Sequence, residues 1–266
     1  MTAILYSEEF NCKIIEVPPK CRLIPIVRTD EELFSTTVER AYKKAAMHVC
    51  INSCWYGLTN QGLIDVLAGD DPVLSSETLN EGFALQGNGV LSGHSSPSMY
   101  FIAQKIDYSW FVGKGDLTKS DYYTGVGGLC PLIVNGLNYG DGNKYSKLIP
   151  DSTLVGPPKS EHIPFLIQRN NNKYAALSKL TNDKGRAGFG ITSKGGCVVI
   201  VKADGVPTEL EFDGFRDIFR RKGCVTALAV DGSDSVFLYH NGQFIIKAGH
   251  NKDESQTFGI GFRSEG

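Results

Sequence analysis

Short apolar runs alternate with glycine-, proline- and asparagine-rich breaks along this chain. Lys13-Ile14-Ile15-Glu16-Val17 and Leu23-Ile24-Pro25-Ile26-Val27 are split by Pro18-Pro19. They predict two strands or an edge hairpin, and Pro25 argues against a central position because it has no N–H to donate. Thr29-Asp30-Glu31-Glu32 reads as a helix start, and Leu33, Val38, Ala41, Ala45 and Ala46 share one helical face, so a helix is predicted over 30–46. His48–Asn52 reads as a buried strand ending on a polar residue. Residues 57–98 are rich in Gly, Ser and Asn. Strands resume at 99–103 and 108–112, and 135–160 again breaks structure, a loop long enough to point to function.

The last 85 or so residues are the most regular. Arg186–Thr192 and Cys197–Lys202 predict two strands. Glu209–Lys222 carries Leu210, Phe215, Ile218 and Phe219 at helical spacing, with Gly223 placed as the residue that ends the helix. Val225–Val230 is almost continuously apolar and should be covered on both faces. Asn241-Gly242 between Phe237–His240 and Phe244–Ile246 is a strong two-residue hairpin signal. The expectation is an α/β (α+β) fold: one compact domain over 1–266, with a mixed sheet flanked by helices.

Composition narrows the class without naming a function. The 266 residues are 41% hydrophobic and 21% charged, as in an ordinary globular protein, and the net charge of -2 supplies no global field for nucleic acid or an anionic membrane. The first residues contain no basic leader and no apolar run of signal length, which predicts a cytoplasmic protein. The seven cysteines are odd in number and scattered; Cys50 and Cys54 alone are a weak zinc signal. Reduced, buried thiols in a reducing compartment are the expectation. Neither a nucleic-acid nor a membrane partner is expected, and oligomeric state is not legible.

Four segments carry candidate chemistry. In Ala229-Val230-Asp231-Gly232-Ser233-Asp234-Ser235 an apolar strand runs straight into an acid, a glycine and small polar residues. A strand-end Asp231 is placed to act as nucleophile, base or metal ligand; the other reading is a turn in which it bonds backbone amides. In Gly185-Arg186-Ala187-Gly188-Phe189-Gly190-Ile191-Thr192 glycines surround one Arg, which can hold a phosphate through two parallel hydrogen bonds or simply end a turn. Asn52 precedes Trp55 and Tyr56, rings that suit a sugar face or a core. Gly127-Gly128 leads into Leu129–Val134 and Asn135-Gly136, which is otherwise a hairpin arm. The five histidines show no metal-ligand spacing; His94 is the one in a mobile-looking stretch and the first acid or base to test. No Gly-x-Ser-x-Gly, P-loop or His-Glu-x-x-His is present.

Taken in order, these blocks resemble the phosphodiester glycosidase family over residues 48–262, with 1–47 adding N-terminal strands and a helix. Asn52 with Trp55 and Tyr56 resembles the family's strand-end Asn block. Gly127–Gly136 resembles its glycine-rich lead into an apolar strand, and Arg186-Ala187-Gly188-Phe189-Gly190 its Arg-Thr-Ala-Ile-Gly. Val230–Ser235 is similar to its Leu-Asp-Gly-Gly-Gly-Ser, with Ser233-Asp234 standing for two glycines, and Thr257–Gly261 resembles its closing strand.

The resemblance implies a hydrolase that cuts between a sugar's anomeric carbon and a phosphodiester, acting on a small molecule. Its leaving group is a phosphate monoester with a second pKa of about 6, so a strong general acid is less needed than in ordinary glycosidases. A fixed cation and a carboxylate suffice: Arg186 for the phosphate, Asp231 for the sugar carbon, Asn52 to orient substrate. Asp234 is either the base or, with Asp231, one of two ligands for a divalent cation; no cofactor is required. Tyr56, Gly128, Gly188, Thr192, Gly232, Ser233, Ser235 and His94 are the expected substrate contacts. A nucleotide-sugar or nucleotide-signal hydrolase, and a sugar-phosphate or nucleotide binding module that has lost catalysis, are the rival readings.

Overall fold

The computed structural model describes residues 4–28, 32–53, 56–58, 78–80, 83–86, 89–93, 100–114, 122–138, 166–169, 173–176, 184–207, 210, 212–249 and 252–265. Two sheets form the body. The larger has eleven strands. It runs from β1 (Leu5–Glu9) and β2 (Cys12–Val17) through β16 (Cys197–Lys202), β15 (Arg186–Thr192), β17 (Cys224–Ala229) and β11 (Thr124–Val134) to β7 (Phe83–Gln86) and β8 (Gly89–Gly93). On β11 also pair β9 (Tyr100–Gln104), which carries β10 (Trp110–Lys114), and the short β12 (Leu137–Asn138). The smaller sheet orders β19 (Gln243–Ile246), β18 (Leu238–His240), β4 (Val49–Asn52), β20 (Phe258–Ser264) and β3 (Cys21–Val27). Two separate hairpins are β5 (Tyr56–Leu58) with β6 (Thr78–Asn80), and β13 (Leu166–Arg169) with β14 (Lys173–Ala176).

The sheets pack face to face. Their common core holds Ile15, Val17, Phe189, Ile191, Val199 and Leu228 from the larger sheet against Leu23, Val49, Ile51, Leu238, Ile260 and Phe262 from the smaller. Each outer face carries one main helix. On the larger sheet, α2 (Phe212–Arg221) buries Phe215, Ile218 and Phe219 over Ile14, Ile200, Ala227 and Ala229. On the smaller, α1 (Phe34–Ala45) buries Phe34 and Val38 against Ile26, Phe237 and Tyr239. A one-turn helix, α3 (Lys252–Ser255), precedes β20.

This corrects the expected architecture in two ways. Every described strand pair is antiparallel, so no mixed sheet is seen among the described residues. Helices are also fewer than "flanked by helices" implied, and strands dominate. Of the apolar run at 225–230, Val225 is exposed, and the rest is covered on both faces, by a second sheet on one side and α2 on the other. A continuous apolar strand reports double burial, not parallel pairing.

Local chemistry explains most boundaries. β2 and β3 are not a hairpin: Pro18 and Pro19 pass the chain from one sheet to the other, and Pro25 sits on β3, an edge strand. Helix α1 starts at Phe34 rather than at 30, because Asp253, distant in sequence, caps its first turn. The Asp253 carboxylate accepts from the Ser35 N–H at 2.5 Å and from the Ser35 hydroxyl at 2.6 Å. Helix α2 stops at Gly223, whose N–H donates to the Arg220 carbonyl at 2.9 Å. Asn241 and Gly242 both have positive φ, 52° and 79°, the two-residue turn their sequence predicts. The six described cysteines are free and buried. No described helix is long and apolar enough to cross a membrane.

The seat of α2 shows why β15 alternates glycine with large residues. Ala187, Phe189 and Ile191 point into the inter-sheet core, while Gly188 leaves room on the other face. A Cβ there would lie 2.7 Å from the Leu228 carbonyl oxygen and 3.2 Å from the Phe215 ring. Phe215 is fully buried and packs edge-on against Phe219. Phe215→Ala should therefore cost about 3–4 kcal/mol, read as a lower urea midpoint at unchanged slope.

Candidate functional site

Strand ends from both sheets meet at Asp231. From the larger sheet, β17 gives out at Ala229 and the chain continues along β15. Val230 N–H donates to the Ala187 carbonyl and Ser233 N–H to the Gly185 carbonyl, both at 3.0 Å. These two bonds bracket Arg186 on one side and Asp231-Gly232 on the other. On the other flank Cys130 of β11 pairs with Ala229. Gly128 has φ of 76° at the register shift where β11 leaves β17 for β9.

The smaller sheet delivers Asn52 and Ser53 at the end of β4. Asp231 N–H donates to the Ser53 carbonyl at 3.0 Å. The Asn52 amide is used at both ends: Nδ2 donates to the Asp231 carbonyl at 2.6 Å, and Oδ1 accepts from the Phe237 N–H at 3.4 Å. Asn52 is only 2% exposed. Its amide thus bonds the backbone of the loop that carries Asp231.

That loop is tightly drawn. Gly232 leads into a 3-10 turn over Ser233–Ser235. A Cβ on Gly185 would collide with the Ser233 carbonyl oxygen, and one on Gly232 would lie 3.0 Å from the Gly185 carbonyl oxygen. Ser233 has φ of 57°, the left-handed region that glycine enters freely and serine does not. The Asp231 Oδ1 accepts from the Gly232 N–H at 2.9 Å.

Burial pushes the Asp231 carboxyl up to about 6. Hydrogen bonds from Ser235 and from the Gly232 N–H pull it back, as does the charge of Lys252, while Asp234 adds to the rise.

The segment 249–256 clamps the loop from outside. Gly249 N–H donates to the Asp234 carbonyl at 2.7 Å, and Gln256 Nε2 donates to the Ser235 carbonyl. The Lys252 ammonium lies 3.6 Å from the Asp234 carboxylate. Among the described residues no group of three His, Cys, Asp or Glu side chains is arranged to hold a metal, and the cation beside Asp234 is Lys252.

The remaining expected residues are scattered. Arg186 is buried at the strand tip, with Nη1 donating to the Gly185 carbonyl at 3.3 Å. Gly188 is covered by Phe215. Thr192 lies at the far end of β15, about 20 Å from Arg186 at the rise of an extended strand. Its hydroxyl closes the β15–β16 turn, donating to the Gly196 carbonyl at 3.3 Å and accepting from the Gly196 N–H at 3.1 Å. Thr192 is therefore corrected to a turn residue. Tyr56 pairs with Asn80 in the β5–β6 hairpin, its side chain outside the described residues, and His94 lies outside them altogether.

Ser53, Lys252 and Gln256 were not expected. No spacing signals them; they reach the site through β4's register and the clamp. A cavity of about 260 Å³ shares Asp253 and Gln256 with that clamp but is lined chiefly by α1, Phe237 and Phe244, and Asp231 does not line it.

A two-sheet sandwich with an acid at the tip of a central strand is a recognisable scaffold, and the family model for phosphodiester glycosidases matches residues 75–263. The chain belongs to the phosphodiester glycosidase family. Among solved structures it is similar to the catalytic domain of zebrafish N-acetylglucosamine-1-phosphodiester alpha-N-acetylglucosaminidase, auto-inhibited by its pro-peptide. The TM-score is 0.59 at 12% identity, covering 99% of this chain and 83% of that one. It is also similar to a hypothetical protein from Synechocystis, with a TM-score of 0.51 at 11% identity, covering 97% of this chain and 61% of that one. At these identities the likeness is one of fold. No curated protein matches the chain.

Two stability predictions test the loop. The Asp231 carboxyl rises from an ordinary 3.8 to about 6 on folding, so the folded protein binds this proton more tightly than the unfolded chain. The stability it lends is complete below pH 4 and lost as pH rises through 6. Asp231→Asn should leave the melting temperature unchanged at pH 4 and raise it at pH 8, by roughly 2 kcal/mol of stability. Ser233→Gly should relieve the left-handed backbone and add about 0.5–1 kcal/mol in urea unfolding.

Proposed function

We propose that this protein is a hydrolase that cleaves the glycosidic bond between a sugar's anomeric carbon and a phosphodiester. The observation that carries the reading is a partly buried carboxyl, Asp231, with proton affinity raised to about 6, fixed where strands of both sheets end. A carboxylate so placed serves an oxocarbenium-like centre or the water that attacks it. When the C1–O bond breaks, the electron pair leaves on phosphate oxygen, and water supplies the hydroxyl at C1. The departing phosphate monoester needs little protonation at neutral pH.

Arg186, between the two β15 residues that bond the loop carrying Asp231, is assigned to the phosphate. Asp234 is the second carboxylate, and Gly232, Ser233 and Ser235 shape the loop. Asn52 supports the site through the Asp231 and Phe237 backbone.

A mass-spectrometric screen of purified protein against sugar phosphodiesters and nucleotide sugars tests the assignment. A free sugar, with phosphate retained on the aglycone, is expected. Release of nucleotide from a nucleotide sugar would move the assignment to that substrate class, and tight retention with no product would make the protein a binding module. With a turned-over substrate, kcat/KM should climb through pH 6 to a plateau as Asp231 ionises. Asp231→Asn should lower kcat by at least about 100-fold while the protein stays folded. Undiminished turnover in that variant would remove Asp231 from the mechanism.

A further inference from the structure

The larger sheet ends at β1, which among the described strands pairs with β2 and with no other. On its outer edge the N–H and C=O groups of alternate residues meet no described strand, and such a row is a template for another chain. Folded proteins blunt these edges with proline, lysine or a bulge. Leu5-Tyr6-Ser7-Glu8-Glu9 contains neither proline nor lysine. Its register with β2 runs unbroken from Leu5 opposite Glu16 to Glu9 opposite Cys12.

The two acids of the strand do not guard the edge either, because each is answered within the chain. Lys13 pairs with Glu8, and Arg221 of α2 pairs with Glu9. Apolar side chains stand on both faces beside the edge. Leu5, on the face that Glu9 shares with α2, is 57% exposed, and Tyr6, on the other face, is 45% exposed. The Tyr6 ring lies parallel to His240 of the smaller sheet, with centroids 6.2 Å apart, so its direction is set.

We infer that the partner of this edge is a second copy of this chain: β1 pairs antiparallel with β1 of the copy about a twofold axis at Ser7, and the two larger sheets become one. A twofold axis normal to the sheet keeps every side chain on its own face, so it passes through a residue and not between two. Ser7 is the middle residue of five, and an axis there pairs the whole strand. Leu5 meets Glu9 of the copy, Tyr6 meets Glu8 of the copy, and the two Ser7 side chains, the smallest in the strand, meet on the axis. In this register no acid faces an acid, whereas an axis at Glu8 would set like charges opposite each other. The Tyr6 hydroxyl already donates to the Glu8 carboxylate of its own strand at 2.8 Å. Across the axis it finds the same carboxylate of the copy at the spacing of cross-strand neighbours. The strand is thus complementary to itself in both charge and hydrogen bonding. Five paired residues make a small interface, which fits a dimer that forms at high concentration.

Sedimentation equilibrium of the full chain from about 1 to about 100 µM, a span that brackets a weak interface, is the test. The wild type is expected to be dimeric at the upper end. Ser7→Glu places two added acids face to face on the axis, with Glu9 of each copy beside them, and should be monomeric throughout. Its far-ultraviolet circular dichroism and melting temperature should match the wild-type monomer. Tyr6→Lys removes apolar surface but sets a cation opposite Glu8 of the copy, and should still dimerise. A wild type that is monomeric throughout overturns the inference. A dimer that survives Ser7→Glu overturns it as well, because another surface then joins the copies. So does a dimer lost in Tyr6→Lys, because apolar area and not this register then holds it. If Ser7→Glu does not fold, amide exchange of the wild type decides. Amides of Leu5–Glu9 should exchange more slowly in concentrated than in dilute protein, and equal rates overturn the inference.

Discussion

The amide of Asn52 is the joint on which the site depends. It belongs to β4 in the smaller sheet, and both its ends are spent on backbone of the chain that leaves the larger sheet, at Asp231 and Phe237. A buried hydrogen bond contributes only about 1 kcal/mol net, but a buried donor or acceptor left without its partner costs about 1–3 kcal/mol. Moving the loop would leave four groups unmet at once, so its place relative to both sheets is fixed. The burial of Asp231 follows from that placement, and its raised proton affinity follows from the burial.

Much of this was legible along the chain, and the part that was not has a physical cause. Arg186–Thr192 and Cys197–Lys202 were delimited from their own apolar runs, and Gly223 and Asn241-Gly242 from turn chemistry, because local backbone preferences decide such boundaries. Sheet membership is not local: nothing in Lys13–Val17 and Leu23–Val27 says that they join different sheets. β1 was missed because it lies at a sheet edge, where Leu5 and Tyr6 stay exposed and the segment shows no buried stripe. At the site, Asp231, Arg186, Gly128 and Asn52 were nominated by strand ends and by family likeness, and the structure bonds Asn52 and the residues either side of Arg186 to the loop that carries Asp231. Thr192 shared a motif with Arg186 but stands at the other end of the same strand. Lys252 sits in His250-Asn251-Lys252-Asp253-Glu254, a stretch with no apolar period, and its approach to Asp234 is seen only in the structure.

Unfavourable features collect in the loop after β17. Asp231 is kept partly buried, and Ser233 adopts a left-handed backbone without being glycine. The surrounding strands are regular and densely packed. Local strain at a site persists only where neighbouring structure over-determines it, and here the neighbours are Asn52 on one side and the 249–256 segment on the other. A loop under such constraint keeps its geometry without ligand, which favours preorganised electrostatics over induced rearrangement.

The pairing of β3 with β20 has a consequence for biosynthesis. β20 lies between β3 and β4, so those two strands wait for one made far later along the chain before the smaller sheet closes. A nascent chain with residues beyond 250 still in the exit tunnel lacks the strand that joins them. The smaller sheet thus closes only when that distant segment emerges, and such long-range closure slows folding.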